Sequence, residues 1–116
     1  MKFTAIYALA VGVLMVAQWT FFILSGQVPE LQSEPLRTAF HLMAELATAV
    51  ALLAAGIGIL RKSSWARSLA MLALGMLSYT LIQSPGYFAQ QQVWALVGMF
   101  AVLLALALIG LRQLLL

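Results

Sequence analysis

One carboxylate stands apart from every other charge in this 116-residue chain: Glu45, the single acidic side chain inside its long apolar runs, with His41 four residues before it. A charge at the centre of a bilayer costs about 2.5 kcal/mol or more, so an ionisable group there is read as functional by default. Thr38, His41, Glu45 and Thr48 are spaced by three, four and three residues. On a helix that spacing places all four within roughly 80° of arc. An imidazole and a carboxylate four residues apart are in mutual reach. Low dielectric disfavours the carboxylate and a protonated imidazole favours it, so the pair is suited to sharing a proton or to holding a cationic group. As metal ligands, His41 and Glu45 are two where zinc needs three or four, which makes metal a minority reading. The bland alternative is an interhelical polar lock, worth under about 1 kcal/mol on average.

The elements that must position these residues follow from composition. Hydrophobic residues make up 65% of the chain and charged residues 8%, too little polar surface for a water-soluble domain, so the chain is expected to be one domain solvated by lipid. A helix crossing about 30 Å of hydrocarbon needs roughly 20 apolar residues, and four segments meet that length: about 4–25, 36–60, 65–83 and 91–111. The expected fold is an all-α, four-helix up-down transmembrane bundle. Residues 1–26 hold Lys2 and a long apolar run but no A-x-A-like site, and Trp19, Phe21 and Phe22 stand where small residues would be. This segment is read as a retained helix, not a signal peptide. Ser33 is a plausible N-cap with Pro35 in the next turn, Arg61–Ser64 forms a polar turn with a serine cap, and Ser84-Pro85-Gly86 is a stop. The Gln90-Gln91-Gln92 run reads as a solvated helix start. There are no cysteines, so disulfides and thiolate metal sites are excluded.

The net charge of +3 hints at no nucleic acid here, because the cations sit at helix ends and set orientation. With both termini cytoplasmic, Lys2, Arg61, Lys62, Arg67 and Arg112 lie inside and only Arg37 outside, beside Glu30 and Glu34. Trp19, Tyr87, Phe88 and Trp94 then mark the outer interface, with Tyr7 and Trp65 at the inner one. At about 1.5 Å per residue, Glu45 and Gln18 lie on the order of 10 Å below the outer boundary and Tyr79 about 6 Å. Gly75, Tyr79 and Gln83 share a face of the third helix, as Thr4, Tyr7, Val11 and Gln18 do on the first. Polar side chains of three helices thus converge in the outer leaflet above an apolar inner half, an outward pocket and not a through-pore.

Small residues suggest contacts. Ala54 and Gly58 form a small-xxx-small pair, and Gly98, Ala101 and Ala105 recur at helical spacing on the fourth helix. Such faces permit close backbone approach, within the bundle or across a homodimer seam.

Pro29-Glu30-Leu31, Glu34-Pro35, Phe40-His41, Ala44-Glu45 and Ser84-Pro85-Gly86-Tyr87-Phe88-Ala89-Gln90, followed by Trp94, resemble small uncharacterised four-helix integral membrane proteins of prokaryotes. The resemblance covers most of the chain and implies no activity. The glutamate on the second helix departs from the small multidrug-resistance transporters, where it lies on the first. The absence of cysteines departs from the quinone-linked membrane disulfide oxidoreductases.

The reading is therefore a multi-pass protein of the prokaryotic cell membrane that binds or transports a small cationic or proton-coupled ligand. Glu45 is its charge, His41 a modulator at the mouth, Tyr79 and Gln18 orienting donors, and Gln83, Thr38 and Thr48 further lining. The alternative is an accessory or structural subunit that packs on another membrane protein or on itself. No cofactor is expected. A membrane enzyme acting on lipid is the third reading: Glu45 and His41 could make an acid–base pair, but the sequence offers no nucleophile motif and no convincing metal set, so enzyme activity is left open and not favoured.

Overall fold

The computed structural model describes residues 2–26, 30–90 and 92–115. Pro29 and Gln91, and the side chains of Glu30, Tyr87 and Phe88, lie outside the described residues. The chain is all-α there. Four long helices, α1 (Lys2–Leu24), α3 (Pro35–Leu60), α4 (Ala66–Gln83) and α6 (Trp94–Leu115), are joined by short connections carrying α2 (Glu30–Ser33) and α5 (Pro85–Gln90). Helices α1, α3 and α6 are long and apolar enough to cross a membrane. Helix α4 is shorter, at 18 residues, and Arg67 and Ser68 at one end and Ser78, Tyr79, Thr80 and Gln83 at the other break its apolar run.

The helix ends depart from expectation for local reasons. Ser33 closes α2, and the N-cap of α3 is Glu34, with Pro35 in the first turn, where its missing N–H costs nothing. Helix α4 ends at Gln83, as the Ser84-Pro85-Gly86 stop implies, but Pro85 also opens the short helix α5 directly after it. Neither serine of the Arg61–Ser64 turn caps α4 by its side chain; the Ser63 carbonyl accepts the Ala66 N–H at 3.2 Å. The turn is instead a helix C-terminal motif of α3. Lys62 sits at φ 55°, its N–H bonds the Ile59 carbonyl, and the Ser63 N–H bonds the Gly58 carbonyl at 2.9 Å. Gln92 adopts φ 61° and α6 begins at Trp94, so the glutamine run precedes the helix; α6 then continues through Arg112, because its hydrogen bonding does not stop where the apolar run does.

In sequence order each long helix packs on the next, and α6 returns to α1 with the least contact of these pairs. Helices α1 and α3 are pressed together at two glycines. A Cβ on Gly12 would stand 2.8 Å from Leu53 Cγ and 3.2 Å from the Ala49 carbonyl oxygen; one on Gly56 would stand 2.6 Å from Leu9 Cγ and 3.0 Å from the Ala5 carbonyl oxygen. Only glycine lets the backbones approach this closely. Leu52, Leu74, Leu77 and Leu114 fill the centre among buried alanines. The outside is apolar too: Phe21, Leu24, Phe40, Leu72 and Val102 are all at least 60% exposed, a surface that suits lipid. At the cationic end Thr4 donates to Gln113 Oε1 at 2.9 Å and Arg67 Nε to the Leu114 carbonyl at 2.6 Å. Tyr7, expected in an interfacial belt, is buried, and its hydroxyl donates to the Leu103 carbonyl at 2.6 Å. The half of the bundle at the cationic end is therefore less uniformly apolar than its sequence suggests, because these polar groups are satisfied across helices.

Candidate functional site

Glu45 is buried on α3 and meets α4 through Thr80, whose hydroxyl donates to Glu45 Oε1. The Thr80 hydroxyl also lies 3.3 Å from the Ser84 hydroxyl. On the other flank His41 Nε2 stands 3.5 Å from Glu45 Oε1, within ion-pair reach but longer than a good hydrogen bond. The His41 ring is in turn met edge-on by Trp19 of α1, with centroids 5.8 Å apart. A polar chain Ser84–Thr80–Glu45–His41 thus crosses from α4 to α3 and abuts α1. His41 is the exposed member, with 44% of its side chain accessible against 6% for Glu45. At the surface Arg37 and Glu34 pair at 3.6 Å.

The chain of contacts forms one wall of a cavity of about 790 Å³ to which all four long helices contribute. Its polar members include Gln18, Thr38, His41, Glu45, Thr80 and Gln83. Leu14, Met15, Leu77, Met99 and Phe100 give it a mainly apolar lining. That size falls within the range of small-molecule sites, roughly 300–1,000 Å³. The aliphatic core around Leu52 and Leu74 continues beneath it.

The residues singled out by spacing are distributed as follows. Glu45, His41, Thr38, Gln18 and Gln83 all line this cavity, although Gln18 is not hydrogen-bonded to Glu45. Thr48 is buried one turn further along α3, and its hydroxyl is returned to its own helix, donating to the Ala44 carbonyl at 2.9 Å. Tyr79 is 68% exposed and lines a separate groove on the outside of α3 and α4. Gly58 is buried beneath the Trp65 ring, which would lie 2.7 Å from an added Cβ; Ala54 is half-buried; Gly98, Ala101 and Ala105 are exposed along α6. Among the described residues no group of three or more histidine, cysteine or acidic side chains could hold a metal ion, so His41 and Glu45 have no third ligand there.

Spacing within single helices does not bring Thr80 to the site and reads Ser84 only as part of a stop, yet the sequence holds a signal for Thr80. Glu45 lies 16 residues before Arg61, and Thr80 lies 16 residues after Ser64. In an antiparallel hairpin equal distances from the turn mean equal height, which identifies Thr80, one residue from Tyr79, as the facing partner.

Residues 1–116 match the family model described as Domain of unknown function (DUF8058), and the chain belongs to that family. No curated protein and no solved structure matches it.

Proposed function

We propose that this member of the family is a binding or transport protein of the cell membrane for a small organic cation, with Glu45 as the counter-charge. In this reading all four long helices cross the bilayer and both termini are cytoplasmic. Lys2, Arg61, Lys62, Arg67 and Arg112 support that orientation, since the Thr4–Gln113 and Arg67–Leu114 contacts gather them at one end. One observation carries the function: a buried carboxylate on the wall of a mainly apolar cavity of about 790 Å³. Such a site favours a ligand with an apolar body and one positive group. Glu45 holds either a proton or that cation. His41 stands at the mouth, and Thr80 orients the carboxylate.

Binding of tetraphenylphosphonium to the protein in nanodiscs tests the reading. Glu45→Gln keeps size and hydrogen-bonding capacity but not charge. It is expected to fold, to unfold at the same or a higher temperature than wild type, and to weaken binding at least roughly thirty-fold, the low end for removing one partner of a buried charge pair. Equal affinity in the two proteins refutes it.

A second reading, an accessory subunit docked through α6, draws on the exposure of Gly98, Ala101 and Ala105 and on the empty space over Gly98. Gly98→Leu should then abolish self-association or co-purification while leaving cation binding intact; retained association removes it.

A further inference from the structure

Glu45 is a partition between two spaces. Together with His41, Thr80 and Gln83 it lines the interior cavity and also a groove of about 230 Å³ on the outside of the α3–α4 pair. Beside the carboxylate the small Ala44 lines the groove, and one turn before Tyr79 a Cβ added to Gly75 would meet nothing within 4 Å. At the other end of the same hairpin Gly58 is filled by the Trp65 ring, so the opening is confined to the level of Glu45. Along the two helices the groove continues into apolar, exposed residues at helical spacing, Phe40 before Ala44 and Leu72 before Met76, with Ile82 after Tyr79. This surface suits acyl chains, so a charged side chain has an opening towards lipid. Tyr79, 68% exposed, flanks that opening.

Resting on the cation pocket above, we propose that the α3–α4 groove is its lipid-side entrance and that its ligands are membrane-partitioned amphiphilic cations of the alkylammonium class. The alkyl chain stays along the apolar surface of α3 and α4 while the ammonium enters the groove. The face of the Tyr79 ring receives it, as aromatic faces receive quaternary ammonium groups. Glu45, reached from this side as well as from within, supplies the counter-charge, so the bound ammonium rests between Glu45 and the Tyr79 ring.

The test is equilibrium binding of radiolabelled dodecyltrimethylammonium to the protein in phosphatidylethanolamine–phosphatidylglycerol nanodiscs, with empty discs subtracted. Tyr79→Phe should bind as wild type, and Tyr79→Leu should bind about five- to tenfold more weakly through loss of the ring. Ala44→Leu, which fills the groove from an exposed position, should also weaken binding. If both leucine variants bind as wild type while Glu45→Gln does not bind, the groove is not the entrance and the interior pocket stands alone. If Tyr79→Phe loses as much as Tyr79→Leu, the ring contact is wrong. Should Glu45→Gln bind as wild type, the cation pocket itself fails and this inference with it.

Discussion

Gly56→Ala isolates the contact that positions the site. The added methyl would lie 2.6 Å from Leu9 Cγ, 2.9 Å from Leu9 Cδ2 and 3.0 Å from the Ala5 carbonyl oxygen. Leu9 is only half-buried and its side chain can turn aside. The carbonyl is helix backbone and cannot, so α1 and α3 must part by a few tenths of an ångström along a closely packed seam. Overpacking of this kind costs about 1–3 kcal/mol. In water a Gly→Ala change inside a helix gains up to about 1 kcal/mol, but detergent-unfolded membrane segments keep much of their helix, so little of that gain offsets the clash. Gly75→Ala is the matched control, because nothing lies within 4 Å of its added methyl. Titration with SDS in mixed micelles, followed by tryptophan fluorescence, should find Gly56→Ala destabilised by about 1–3 kcal/mol and Gly75→Ala within about 0.5 kcal/mol of wild type. Equal stability of the two variants refutes the reasoning, since it means that the helices are not held at glycine distance.

Two further substitutions separate contacts between helices from contacts within one. Thr80→Val removes the donor to Glu45 and should destabilise by about 0.5–2 kcal/mol, whereas Thr48→Val, whose hydroxyl only returns to the Ala44 carbonyl of its own helix, should stay within about 0.5 kcal/mol of wild type in the same titration. Tyr7→Phe deletes the hydroxyl bound to the Leu103 carbonyl and should cost about 0.5–1.5 kcal/mol without changing tetraphenylphosphonium affinity; a loss of affinity would tie that end of the bundle to the site.

Helix number, approximate spans and the convergence of Glu45, His41, Thr38, Gln18 and Gln83 on one cavity are readable from apolar length and 3.6-residue spacing. What spacing leaves open is which helix faces which. Tyr79 and Thr80 differ by 100° on α4, and only the hairpin register turns Thr80 towards Glu45 and leaves Tyr79 outside. The glycine seam does not stand out in the sequence, because Ala54 and Gly58 match the small-xxx-small pattern as well as Ala8 and Gly12 do. The pattern does not say whether a neighbouring helix or the Trp65 ring fills the gap. Pro85 acts in both senses open to it: α4 ends at Gln83 with Ser84 as its C-cap, as the Ser84-Pro85-Gly86 stop implies, and Pro85 then takes the first position of α5, which the stop alone does not announce.

The energetics of Glu45 argue for a charge that is used. A carboxylate at membrane depth costs about 2.5–3.5 kcal/mol on insertion scales. Thr80 and His41 are its two polar contacts, and polar contacts between membrane helices average about 0.6 kcal/mol each. At that average the two contacts leave a deficit on the order of 1–2 kcal/mol. The bundle also has polar fastenings away from Glu45. At the cationic end Thr4, Tyr7 and Arg67 fasten α1 and α4 to α6, and a Cβ on Gly110 would come within 3.3 Å of Leu74 and 3.7 Å of Thr4. Towards Glu45 the interior instead opens into the cavity. Glutamine would serve the contact with Thr80 at lower cost. In the reading proposed above, a carboxylate beside this cavity is retained because a bound cation would offset its charge.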